Sequence, residues 1–195
     1  MHSSLNHHWS EVKRILRYLR GTTDHRLFFN TQSSNQLSGY SDAAWANFVT
    51  DRRSTTGYVY LGSHLISWSS RKQRTVARSS TEAEYKALAT LAAEIIWIES
   101  LLHEIGISLP FLTKLWCDNL GATYLSANPV FHSRNKHMEI DFHFVCERVV
   151  VGQLLVRYIS TEDQLADLLT KPLPRQRFHH FKCKLKVIDP QLAGV

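Results

Sequence analysis

The chain has 195 residues, 44% hydrophobic and 21% charged, a size and balance that suit one soluble domain with a real core, alone or with a short appendage. Lys and Arg outnumber Asp and Glu by 23 to 17, a net +6 that is compatible with a polyanionic partner without demonstrating one. Three scattered cysteines, Cys117, Cys146 and Cys183, form no Cys-x-x-Cys pair and so argue against a disulfide framework or a thiolate zinc site. Glu94 interrupts the best apolar run before it reaches membrane-spanning length, and Met1 is followed by polar residues rather than a signal peptide. A soluble, intracellular and cytoplasmic protein with no membrane partner is the expectation.

Residues 9–20 form an amphipathic helix pattern, with Val12, Ile15, Leu16 and Leu19 on one stripe, Lys13, Arg14, Arg17 and Arg20 on the polar side, and Gly21 as the stop. The polar run 31–38 looks like a linker, which places the domain boundaries at 1–36, 37–185 and a tail 186–195. Residues 37–45, 56–61 and 64–69 then read as strands rich in Tyr, Val, Ile and Trp, the last two joined by a Gly62-Ser63 hairpin turn.

The longest helical pattern begins at Ser80 and runs to about His103 without Pro or Gly, ending near Gly106. Two carboxylates stand in its first turns. At ~100° per residue, Glu84 shares a stripe with Leu88, Leu91 and Ile95, whereas Glu82 lies on the other side with Lys86. Ser79 and Glu82 have capping-box spacing, so Glu82 is read as structural. Glu84 is either a structural hydrogen-bond acceptor or part of a site.

Further on, 112–117 reads as a buried strand, 119–127 as a short helix, 136–151 as a helix and 154–159 as another strand. A last helix over 161–170 has Thr161 and Gln164 at capping-box spacing, and Pro172 and Pro174 end it. Three consecutive strands, then helices alternating with two more, describe an α/β fold with a mixed five-stranded sheet flanked by helices.

Four carboxylates occupy comparable places in that layout: Asp42 in the first strand, Glu84 at the helix start, Asp118 just past the fourth strand and Asp167 in the last helix. Gathered acids repel one another unless protonated or bridged by cations, and oxygen-only ligands select Mg²⁺ or Mn²⁺. Each also has a plainer reading. Asp118 could cap the following helix, and Asp167 could pair with Lys171 four residues on. Asp42 is harder to set aside, because an Asp inside an aromatic-flanked strand costs stability unless it is ligated or hydrogen-bonded.

The segments GYSDAAWAN, DRRSTTGYVYLGSHLISWSSRKQRTVARSSTEAEYKAL, LWCDN, NPVFHSRNKHMEIDFHFV and STEDQLADLLTKPLP resemble the ribonuclease H domain of Ty1/copia-type retrotransposon polyproteins, nearly continuously over 37–185. The N-terminal HHWSEVKRILRYLRGT resembles the segment joining the reverse transcriptase region to that domain, so the chain looks like a C-terminal fragment of such a polyprotein. The resemblance implies a ribonuclease H-like fold, with three antiparallel strands first in the sheet. It also implies that Asp42, Glu84, Asp118 and Asp167 are the metal-binding catalytic acids. Endonucleolytic cleavage of the RNA strand of an RNA/DNA hybrid with two Mg²⁺ ions would follow, with the reverse transcriptase region as partner and a virus-like particle as setting if the element is active.

Arg52, Arg53, Arg71, Lys72, Arg74 and Arg78, with Ser and Thr among them, form the candidate nucleic-acid-binding run; the alternative is a solvated basic loop. Two departures from the family pattern stand out. Ala44 replaces a second Asp often found two residues after the first, and 158–167 lacks the His that cellular ribonucleases H place before their final acid. A zinc site built from His132, His137 and His143 with Glu139 and Asp141 is disfavoured, because the two i,i+4 pairs point in different directions. Trp68, Trp97, Phe142 and Phe144 are read as core. The competing functional readings are an inactive relic that still folds and binds nucleic acid or a polymerase, and an integrase-like nuclease.

Overall fold

A computed structural model describes residues 6–31, 35–45, 58–62, 64–128 and 138–188. Arg52, Arg53, His132 and His137 lie outside these residues. The chain begins with α1 (Asn6–Arg20) and the two-residue β1 (Arg26–Leu27). The sheet strands β2 (Leu37–Ser41), β3 (Tyr58–Leu61) and β4 (His64–Trp68) precede the long α2 (Ser80–Glu104). Then come β5 (Thr113–Cys117), α3 (Leu120–Ala127), α4 (Glu139–Val150) and β6 (Leu154–Tyr158). A 3-10 turn at Thr161–Asp163, α5 (Asp167–Thr170), α6 (Arg175–Lys184) and β7 (Val187–Ile188) complete the order. Among the described residues, no helix is long and apolar enough to cross a membrane.

The main sheet has the order β4-β3-β2-β5-β6. Its first three strands are antiparallel, while β2, β5 and β6 are mutually parallel. This is the mixed five-stranded sheet expected of a ribonuclease H-like fold. Ser41, Cys117 and Tyr158 are in register at one edge of the parallel strands, so the residues that follow them emerge together.

Alternation along the strands sorts side chains between two cores. Leu37, Leu115 and Cys117 face α2, α3 and α4 in the larger core, with Leu88, Leu91, Ile95, Phe142 and Val145. On the opposite face Tyr40 meets Tyr60, Leu65, Leu165 and Phe181. Helix α2 lies close on β2, because a Cβ on Gly39 would stand 2.8 Å from Ile95 Cδ1 and 2.9 Å from both Leu91 methyls. Gly106, with φ of 77°, ends α2 by turning the Ile107 N–H back to the Leu102 carbonyl at 2.8 Å.

Several sequence expectations need correction. The first strand stops at Ser41 rather than continuing to Trp45, because the Ala43 N–H bonds to a side chain of α2 instead of a neighbouring strand. The expected 161–170 helix is broken: Ser160, not Thr161, accepts the Glu162 N–H, and the buried Gln164 amide donates to the Ser41 carbonyl at 2.9 Å. Helix α6 was missed, although Pro174 at its start and Lys182 and Lys184 in its last turn were available signals. Trp68 and Trp97 are exposed, leaving Phe142 in the core and Phe144 partly buried against it.

The apolar stripe of α1 is exposed along its length, and Tyr18 meets Phe178 of α6 edge-on with ring centroids 6.4 Å apart. Antiparallel pairing of β1 with β7 joins the segment before the linker to the tail, across the boundaries drawn at 36 and 186.

Candidate active site

Asp42 is the first residue past β2 and Asp118 the first past β5, so parallel pairing of those strands delivers both to one edge. Asp167 opens α5, whose position is set by the Gln164 bond to the Ser41 carbonyl immediately before Asp42. Each of these three acids offers an oxygen within 4.8 Å of one from each of the others. Asp42 and Asp167 are fully buried, and Asp118 is half-buried.

Glu84 comes in from above. Its stripe on α2 packs through Leu91 and Ile95 on Gly39, and one turn before Leu88 the same stripe passes the end of β2. There Glu84 Oε1 accepts the Ala43 N–H at 3.1 Å, while its buried Oε2 has no hydrogen-bond partner among the described residues. Burial first, then the charges of Asp42 and Asp118, push its carboxyl up to about 9, against the opposing pull of the Ala43 N–H and Lys171. Glu82 is equally buried but structural. It accepts the Arg78 N–H at 2.8 Å and pairs with Lys86 at 2.6 Å, while its own N–H donates to Ser79 Oγ at 3.1 Å.

The plainer readings of the other acids divide. Asn119, not Asp118, caps α3, accepting the Ala122 N–H at 2.9 Å. Asp118 instead accepts the Thr161 hydroxyl at 3.0 Å. Asp167 does pair with Lys171, at 2.8 Å, yet it stands within the acid cluster as well. The same ammonium is 3.0 Å from Asp42 Oδ1. Thr170 donates its hydroxyl to Asp42 Oδ2, and Arg177 of α6 holds Asp167 Oδ2 at 2.6 Å. Burial raises the Asp167 carboxyl, and the Lys171 hydrogen bond opposes it. Burial lowers Lys171, but its contacts with Asp167 and Asp42 outweigh this and hold it above the usual lysine value.

Thr170, Lys171 and Arg177 were not named as site residues from sequence. Only the Asp167–Lys171 spacing signalled one of them. Ala44, which stands where the family often has a second Asp, is buried beyond the end of β2.

Asp42, Asp118 and Asp167 form a carboxylate-only donor set, a composition that suits a hard divalent cation such as Mg²⁺ or Mn²⁺, while Glu84 lies beside that grouping rather than within it. The nearby Cys117 thiol, pushed up to about 12 by burial and then by Glu84, stays protonated at neutral pH and adds no thiolate.

The basic run is only partly in view. Arg71, Lys72, Arg74 and Arg78 are exposed on the connection between β4 and α2. That connection starts beside the acids, since Ser70 donates its hydroxyl to the Leu169 carbonyl in α5 at 3.1 Å, and Gln73 anchors it on the Ala83 carbonyl at 2.8 Å. His143 is exposed, and among the described residues the only grouping of three or more His, Cys, Asp or Glu side chains fit for a metal is Asp42, Asp118 and Asp167.

No family model matches the chain. It is 53% identical over 198 aligned positions, all of its length, to the retrovirus-related Pol polyprotein from transposon RE2 of Arabidopsis thaliana, and spans 14% of that polyprotein. With the corresponding polyprotein from transposon TNT 1-94 of Nicotiana tabacum it shares 43% identity over 88% of its length and spans 13% of that relative. Among solved structures, LC11-RNase H1 isolated from compost aligns with a TM-score of 0.48 at 17% identity, covering 70% of this chain and 93% of that one. The fold assignment therefore rests on strand order and direction rather than on that superposition.

Proposed function

From a chain that belongs to the retrovirus-related Pol polyproteins of Ty1/copia-type transposons, we propose a ribonuclease H domain that hydrolyses the RNA strand of RNA/DNA hybrids during retroelement reverse transcription. The observation that carries this reading is the convergence of Asp42, Asp118 and Asp167 within 4.8 Å at the edge of the parallel strands, with the Glu84 carboxylate docked on Ala43 beside them.

These four acids would hold two divalent cations, Mg²⁺ or Mn²⁺. Such ions, when bound, supply a water nucleophile at neutral pH and stabilise the leaving oxygen of a phosphodiester. The chain's own part is placement. Strand pairing fixes Asp42 and Asp118, the Gln164 bond fixes α5 and Asp167, and the Ala43 N–H fixes Glu84 beside Asp42. Asp118, the most accessible acid of the four and held by one hydroxyl, faces the approach from solvent.

Arg71, Lys72, Arg74 and Arg78 would neutralise phosphates of the hybrid next to that edge, and Arg52 and Arg53 would extend the run. The 2′-hydroxyls of the RNA strand supply the chemical distinction from DNA. The exposed apolar stripe of α1 suits a connection to the reverse transcriptase region of the parent polyprotein.

A second reading, an inactive relic that folds and binds nucleic acid or a polymerase, is favoured by one observation. Lys171 and Arg177 already balance the charge of Asp42 and Asp167, so these two buried acids have counter-charges without an ion. Incubation of the protein with labelled RNA/DNA hybrid and Mg²⁺, beside Asp118→Asn, decides between them. Cleavage by the wild type and not the variant supports the enzyme. Equal cleavage by both removes this site, and cleavage by neither supports the relic.

A further inference from the structure

All four carboxylate oxygens of Asp42 and Asp167 are engaged by side chains of α5, the residue after it, or α6. Thr170 takes Asp42 Oδ2, Arg177 takes Asp167 Oδ2, and the single Lys171 ammonium bridges Asp42 Oδ1 at 3.0 Å and Asp167 Oδ1 at 2.8 Å. By contrast, among the described residues Asp118 accepts one hydroxyl, and Glu84 Oε2 accepts nothing. The ammonium therefore sits between the two buried acids, on oxygens that would otherwise be open to hold a divalent cation.

We infer that Lys171 is an internal counter-ion occupying, between Asp42 and Asp167, the place that a divalent cation takes, and that the two exclude each other. This rests on the metal-binding reading of the acids and adds a competitor to it. The residue type fits the task. An ammonium is a compact charge on a flexible stem, and the Lys171 side chain is 34% exposed, so its tip has a path to solvent when an ion arrives. A guanidinium at this position, forked and less readily released, would hold the two carboxylates more tightly. Arg177, on the outer oxygen of Asp167, keeps that carboxylate oriented in either state. The counter-ion removes the repulsion between two fully buried acids when no divalent ion is present.

The test compares wild type, Lys171→Met and Lys171→Arg in two measurements: Mn²⁺ binding followed by the electron paramagnetic resonance of the free ion, and thermal unfolding in chelator. Lys171→Met is expected to bind Mn²⁺ about tenfold or more tightly than wild type and to unfold at lower temperature without metal. Lys171→Arg is expected to bind more weakly than wild type and to keep its metal-free stability, and it carries the test if the Met variant does not fold. Equal Mn²⁺ affinities, or weaker binding by Lys171→Met, overturn the exclusion and leave the metal reading standing. An unchanged metal-free transition in Lys171→Met overturns the counter-ion role. Absence of Mn²⁺ binding in all three proteins overturns both the inference and the metal reading on which it rests.

Discussion

The Glu84 carboxylate accepts the backbone N–H of Ala43 at 3.1 Å, a bond that ties the first turns of α2 to the end of β2 at the point where Asp42 leaves the sheet. The carboxyl is raised from 4.5 to about 9 by burial and by Asp42 and Asp118. Between those values the folded protein holds a proton that the unfolded chain has released, so metal-free stability falls as pH rises through that window. The slope from this group is at most about 1.4 kcal/mol per pH unit. Urea unfolding in chelator should show a midpoint that declines from about pH 5 to about pH 9. Glu84→Gln should flatten that decline, and a variant as steep as wild type would show that Glu84 is not the group responsible.

Glu82, two residues earlier, should behave in the opposite manner. Glu82→Ala strips the acceptor from the Arg78 N–H and the carboxylate partner from Lys86, which keeps Thr75, so a loss of about 1–3 kcal/mol is expected in chemical denaturation. Its divalent-ion affinity, read by calorimetry, should match wild type. A large fall in that affinity would place Glu82 in the site.

Arg71 and Arg74 are exposed, so their joint replacement by Ala should leave stability within about 0.5 kcal/mol of wild type. If both touch phosphate, the dependence of log affinity for an RNA/DNA hybrid on log salt should lose about two units of slope. A slope equal to that of wild type would mean the run lies away from the substrate.

Gly39→Ala puts a methyl into the contact of β2 with Leu91 and Ile95, where the nearest atoms stand at 2.8–2.9 Å. Because those atoms are side-chain ends that can shift in part, the expected loss is about 1–3 kcal/mol. The same equilibrium unfolding measurement checks it, and a neutral result would show that α2 rides higher on the sheet.

Most elements were legible in the residues because their signals are local. The short apolar run at 112–117, the unbroken run after Ser79 and the glycines at 62, 106 and 152 each act within a few positions. The split between Glu82 and Glu84 was legible for the same reason, since helical phase separates residues two apart. What misled was spacing without context. Thr161 and Gln164 have the separation of a capping box, but Gln164 is drawn into the interior to bond the Ser41 carbonyl, 123 residues away in sequence. Likewise nothing local to the 37–45 pattern says that the strand ends at Ser41, because the competitor for the Ala43 N–H is a carboxylate 41 positions later.

The sequence by itself determined the chain order of the five sheet strands and of α1 to α4, and the structural role of Glu82, because each follows from periodicity or from spacing within one or two turns. Only the tertiary structure decided that Asp42 and Asp167 share one ammonium, with Thr170 and Arg177 on their outer oxygens. The Lys171 bond to Asp42 spans 129 positions, and such a contact depends on the distance between folded elements and the reach of a side chain, which no local pattern encodes.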